Sequence, residues 1–118
     1  MPIVRVSGLP THIPEDLLKS LEKGIVNTVL QVKELELKKD SDVTPLFTTD
    51  HRVIEEKGAK IVIEVVGLLD KAERTRRIRL RLAHDLVAAV LALFPLAEFA
   101  ECVIMLMDSE RDVFYFRK

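Results

Sequence analysis

The sequence predicts an α/β (α+β) domain in which two β-α-β repeats form a four-stranded mixed sheet with two helices on one face. Three observations lead there. Two stretches, Pro14 to about Leu30 and Asp70 to Phe94, carry apolar residues at three- and four-residue steps, the mark of a helix with one buried face. Short β-branched or alternating runs flank both of them. Finally, Ile3-Val4-Arg5-Val6-Ser7-Gly8-Leu9 aligns with Val62-Ile63-Glu64-Val65-Val66-Gly67-Leu68 at a constant offset of 59 residues, and each segment ends in Gly-Leu ahead of a helix. Five apolar-or-glycine matches in seven positions support an internal duplication without establishing it. The chain divides into a first half at 1–59 and a second at 60–118, together one domain at 1–118.

Pro2 to Gly8 is the first strand, rich in β-branched residues and closed by a glycine. Pro14 suits the first position of a helix, and Glu15 and Asp16 follow where the helix dipole favours negative charge. Leu17, Leu18, Leu21, Ile25, Thr28, Val29 and Val32 then form its apolar stripe. Lys33 to Lys39 alternates, with Leu35 and Leu37 on one side and Glu34, Glu36 and Lys38 on the other, which predicts a half-buried strand. Asp40-Ser41-Asp42 is turn chemistry, and Val43 to Thr48 continues the strand beyond it, with Pro45 favouring a sheet edge. Thr49 to Lys60 is polar and reads as a surface connection.

Lys60 to Leu69 is the strongest strand, apolar except at its first residue, Glu64 and Gly67. Asp70 followed by Glu73 has capping-box spacing and predicts the start of the second helix. That helix buries Ile78, Leu82, Leu86, Val87, Val90, Leu91 and Phe94, and stops at Pro95. Cys102 to Met107 is the last buried strand, Asp108 to Asp112 a turn, and Val113 to Phe116 an apolar tail. Parallel crossovers of this kind are expected to be right-handed.

Composition narrows the function. The chain has 118 residues, 48% of them hydrophobic and 31% charged, which suits an ordered globule. A net charge of −1 supplies no field for nucleic acid or an anionic membrane, so neither partner is expected. The longest apolar stretch, Leu86 to Ala97, is too short to span a bilayer. Cys102 is the single cysteine, which with no secretory signal predicts a cytoplasmic location. Two strands are apolar on both sides, whereas two helices cover one face of a sheet. The other face should therefore meet a second copy of the chain, so self-association is expected.

Few residues suit catalysis. Removal of Met1 would leave Pro2 as a free secondary amine at the front of the first strand. An α-amino group titrates near neutrality (about 7.7–8.0), and burial or a nearby cation frees its lone pair for proton transfer to and from carbon. His12, His51, His84 and Cys102 have no metal-ligand spacing, and the four glycines stand singly with no phosphate loop, so no metal or cofactor is expected. Arg74, Arg76, Arg77, Arg79 and Arg81 read as a solvated helix face in preference to a nucleic-acid patch, with Arg74 and Arg76 placed to reach an anion at the helix start.

An N-terminal Pro-Ile-Val strand, a helix about a dozen residues later and a second β-α-β half resemble the long-chain members of the tautomerase superfamily, a group including macrophage migration inhibitory factor and 5-carboxymethyl-2-hydroxymuconate isomerase. The resemblance implies a homotrimer with sheets lining a central barrel. It also implies a pocket where the Pro2 nitrogen shuttles a proton during keto–enol conversion of a small anionic substrate, an α-keto or phenylpyruvate-like acid. Family arginines that grip the substrate carboxylate correspond here to His12, to Lys71 by the 59-residue offset, and to Lys33 after the first helix. Aromatic residues of the C-terminal segment, Tyr115 among them, are the implied pocket wall. The alternative is a non-catalytic oligomeric ferredoxin-like binding or structural module. Its RNA-binding version is disfavoured, because Lys60 to Leu69 and Cys102 to Met107 contain no aromatic residue on which a base could stack.

Overall fold

A computed structural model describes residues 2–107. In order these form β1 (Ile3–Leu9), α1 (Glu15–Leu30), 3-10 turns at Lys33–Leu35 and Asp40–Asp42, β2 (Thr44–Thr49), β3 (Lys60–Leu69), α2 (Arg76–Leu93) and β4 (Phe99–Met107). The expected turn at 108–112 and the tail at 113–116 lie outside the described residues. The four strands make one mixed sheet ordered β2-β1-β3-β4. β1 runs parallel to β2, β3 runs parallel to β4, and the two pairs meet where β1 and β3 lie antiparallel. Each helix supplies the long crossover that a parallel pair requires.

Alternation along the strands decides which face is buried. Val4 and Val6 of β1 and Ile61, Ile63 and Val65 of β3 are at most 1% exposed, as are Leu21, Ile25 and Val29 of α1 and Leu82, Leu86 and Val90 of α2. Both helices thus pack on the same face of the sheet. The duplication seen in the sequence has a backbone counterpart. Gly8 (φ 84°) and Gly67 (φ 81°) both adopt a conformation that side chains avoid. Each stands where the strand shifts register against its parallel neighbour, between Val6 and Leu9 in one half and between Val65 and Leu68 in the other.

The structure corrects three element boundaries. Lys33 to Lys39 is not a strand. Chain leaving α1 must return to the sheet edge, and pairing with β1 begins only at Thr44, opposite Ile3. On the way Leu35 N–H donates to the Val32 carbonyl (3.1 Å) and Glu36 N–H to the Lys33 carbonyl (3.0 Å). One Asp42 carboxylate oxygen then accepts from the Lys38 and Lys39 amides (3.1 and 3.0 Å), which holds that carboxyl below its usual range. The apparent alternation comes from Leu35 being tucked into the core at 1% exposure with Leu37 packed beside it. The surviving strand does carry Pro45 on a sheet edge, β2.

The second correction is the start of α2. The Asp70 amide is occupied at the sheet end, donating to the Met107 carbonyl (2.8 Å). Thr75 is the N-cap, its hydroxyl accepting from Ile78 N–H (3.3 Å). Third, β4 begins at Phe99, three residues before the expected start, because Lys60 and Phe99 already pair.

The face of the sheet away from the helices carries Ile3, Arg5 and Ser7 of β1 beside Val66, Glu64 and Val62 of β3. The antiparallel register sets Arg5 opposite Glu64, so an opposite-charge cross-strand pair sits amid apolar neighbours. On the outer strands Leu46, Phe99, Val103 and Met105 are 40–48% exposed. No helix among the described residues is long and apolar enough to cross a membrane.

Candidate functional site

Antiparallel pairing of the two halves decides what lies near Pro2. Ile3 pairs with Val66, so the start of β1 stands at the end of β3, beside the segment that leads into α2. Pro2 is buried there, and its carbonyl accepts from Thr44 N–H (3.1 Å) as β2 joins the sheet. A cleft of about 200 Å³ opens beside it. Its lining includes Leu35, Leu37, Gly67, Leu68 and Leu69. Leu35 and Leu68 are buried in the core, so Leu37 and Leu69 are the leucines with side-chain surface to offer it. Three charged residues complete the lining: Glu36, Lys71 and Arg74.

Arg74 is the buried charge of this cleft, at 6% exposure. Its Nη1 donates to the Leu69 carbonyl (2.8 Å) and its Nη2 to the Leu35 carbonyl (2.9 Å), tying the end of β3 to the turn after α1. Nε is buried and has no hydrogen-bond partner. Burial pushes the guanidinium below its usual range, and the carboxylates of Glu36 and Glu73 act in the opposite sense. The group remains a cation, since an arginine does not deprotonate in a protein. The guanidinium is a fixed positive charge in the lining of the cleft, and a positive charge there favours an anionic ligand.

The structure brings Pro2, Lys71 and Arg74 to one cleft. It does not bring His12 or Lys33 there. His12 follows β1, at the opposite end of the β1–β3 pair from Pro2. It is exposed beside Thr11, whose amide and hydroxyl both donate to the Val53 carbonyl (2.9 and 2.6 Å). Lys33 is exposed at the start of the first 3-10 turn, outside the cleft lining. Tyr115 lies outside the described residues. Arg76 faces a different hollow, shared with Arg79, Leu80, Ala83, Cys102 and Ile104. Burial raises the Cys102 thiol to about 11, so it stays protonated at neutral pH and packs as an apolar group.

Sequence reasoning passed over Glu36, Leu35 and Leu37. It placed Arg74 on a solvated helix face, which its burial contradicts, while also naming it as a residue able to reach an anion at the helix start. Helical spacing could not have found that burial, because Arg74 precedes the N-cap Thr75 and is buried through its bonds to the Leu69 and Leu35 carbonyls. Among the described residues no group of three or more His, Cys, Asp or Glu could hold a metal ion.

No protein-family model matches the chain, and neither does any curated protein. Solved structures do. A fused 4-OT solved as a symmetric trimer is 16% identical over 92% of this chain and 87% of its own, with a TM-score of 0.68. Malonate semialdehyde decarboxylase, solved in wild-type, mutant and inactivated forms, is 11% identical over 98% of this chain and 91% of its own, with a TM-score of 0.69. A protein solved after inactivation by 2-oxo-3-pentynoate is 13% identical over 92% and 88%, with a TM-score of 0.67. At such identities the likeness speaks to architecture, and on that ground this chain has the fold of the tautomerase superfamily.

Proposed function

We propose that this chain is a divergent tautomerase or isomerase that works without a cofactor, using the Pro2 nitrogen as its acid–base group on a small 2-oxo acid. The observation that carries the reading is the placement of buried Pro2 in one cleft with buried Arg74, whose Nε lacks a partner. With Met1 removed, Pro2 presents a secondary amine. Burial and the neighbouring cations favour its neutral, basic form. The substrate carboxylate is held by Arg74 and Lys71. The Pro2 nitrogen takes a proton from C3, the C–H electron pair forms the C2–C3 double bond, and the carbonyl π pair moves onto oxygen. Delivery of a proton to that oxygen gives the enol, and the reverse sequence returns the keto acid.

Self-association belongs to the same proposal. The face away from the helices is largely apolar, and three chains joined through these faces and the open β2 and β4 edges make a homotrimer. The fused 4-OT relative, solved as a trimer, supports this arrangement. The single, half-buried cysteine favours a cytoplasmic setting.

The test is ketonisation of phenylenolpyruvate by protein whose N-terminus has been read by intact mass. Loss of Met1, with activity that falls at least a hundredfold in Pro2→Ala, is the expected result. Full retention of Met1, or equal rates for the two proteins, would reject Pro2 as the base and favour the non-catalytic module.

A further inference from the structure

The cleft beside Pro2 has an uneven charge distribution. Arg74 and Lys71 are cations, Glu36 is an anion, and the remaining lining residues are Pro2, Leu35, Leu37, Gly67, Leu68 and Leu69. With Pro2 neutral, the lining formed by the described residues carries one net positive charge, matched by one carboxylate. Glu36 is not an incidental neighbour. It is the one non-glycine residue with positive φ among the described residues (59°), a conformation that costs a side chain stability. It directly follows Leu35, whose carbonyl is held by Arg74 Nη2 at 2.9 Å. The guanidinium thus anchors the turn that presents the Glu36 carboxylate to the cleft, and that carboxylate acts on the Arg74 charge in return.

We propose that the cleft selects 2-oxo monoacids with an uncharged tail and rejects dicarboxylates, with Glu36 as the specificity-determining residue. The proposal rests on the reading of this cleft as a 2-oxo acid site. One carboxylate satisfies Arg74 and Lys71, and the uncharged tail lies against Leu37 and Leu69. A second carboxylate of a small substrate must share about 200 Å³ with Glu36 and finds no further cation among the described lining residues. Like charges brought together in that way disfavour binding.

The experiment compares 2-oxopentanoate with 2-oxoglutarate, which have the same five-carbon chain and differ by the terminal carboxylate. Affinities are read from backbone amide NMR shifts at Leu35, Leu69 and Arg74, so the readout does not require turnover. Wild-type protein should bind the monoacid about tenfold more tightly, the scale of one unit charge at about 6 Å in a half-open, screened cleft. Glu36→Gln should bring the two affinities together. Glu36→Gly removes the same charge and suits the positive φ, so it gives the same answer if the glutamine variant folds poorly. Equal wild-type affinities, an unchanged ratio in both variants, or no binding of either acid would overturn the proposal. Failure of the catalytic reading looks different: the selectivity persists, but Pro2→Ala ketonises phenylenolpyruvate as fast as wild type.

Discussion

Replacing Gly8 by alanine attacks the joint between the two halves of the chain. Gly8 has a φ of 84°, and a Cβ built on it would run into the backbone carbonyl oxygen of Lys60. Two costs combine. The conformation itself costs a side chain about 1–2 kcal/mol. Relief of the overlap must move β1 away from the start of β3, weakening at least one ladder hydrogen bond worth about 1 kcal/mol. The sum is about 2–4 kcal/mol, at the severe end for a point substitution. For a domain of this size each kcal/mol moves the melting temperature by about 4 °C, so a loss of about 8–16 °C is expected. Urea unfolding at fixed protomer concentration is the assay, because the proposed self-association would make stability concentration-dependent. Gly24→Ala is the internal control: it lies within α1, its Cβ would meet nothing within 4 Å, and it should stabilise by about 0.5–1 kcal/mol. Gly67→Ala, at the matching bulge with φ 81°, should lose at least the conformational part, about 1–2 kcal/mol. A Gly8→Ala protein within 0.5 kcal/mol of wild type would refute the reasoning.

Arg74→Met should lower kcat/KM for phenylenolpyruvate about 10- to 100-fold, the scale of one charge-assisted hydrogen bond to the substrate carboxylate. Its folding stability should change little, because loss of the bonds to Leu35 and Leu69 is offset by relief from burying an unpaired cation; activity within threefold of wild type counts against the site. Cys102, with a thiol raised to about 11 from an ordinary 9.0, should react with iodoacetamide at pH 8 about a hundredfold more slowly in folded than in urea-unfolded protein. The same shift favours the neutral thiol in the folded state, so above pH 9 ionisation favours the unfolded chain and stability falls as pH rises from 9 towards 11. Rapid labelling of folded protein, or stability flat across that window, would contradict it. Light scattering at micromolar concentration should give three times the protomer mass, and a clean monomer would contradict the proposed trimer.

Where burial is simple, the fold was legible in the sequence. Lys60–Leu69 is a strand over the expected residues because a central strand needs apolar side chains on both faces, and few other elements read that way. α1 declared itself through its stripe and its acidic first turn. Errors arose where two local signals competed. Asp70 and Glu73 have capping-box spacing, but Asp70 is still bonded to the strand end and Thr75 caps the helix. Leu35 and Leu37 alternate with Glu34 and Glu36 as strand residues do, yet a 3-10 turn places Leu35 and irregular chain carries Leu37. The site was legible in part for a similar reason. Lys71 was reached through the duplication, as the counterpart of His12 at the 59-residue offset, whereas Glu36 has a left-handed backbone conformation that no sequence spacing announces. His12 was assigned by local order, before the antiparallel pairing of β1 and β3 showed that Pro2 faces the second half of the chain.

The central claim is that the Pro2 nitrogen is the reactive group of this cleft. Incubation with 2-oxo-3-pentynoate followed by peptide mass mapping tests it directly, since an electrophilic 2-oxo acid should seat its carboxylate near Arg74 and place its alkyne against the nucleophilic amine. The account predicts a single adduct on the peptide beginning at Pro2, absent when phenylpyruvate is added first and strongly reduced in Arg74→Met. An adduct only on Lys71, or an unlabelled protein whose N-terminus is already Pro2, would contradict it.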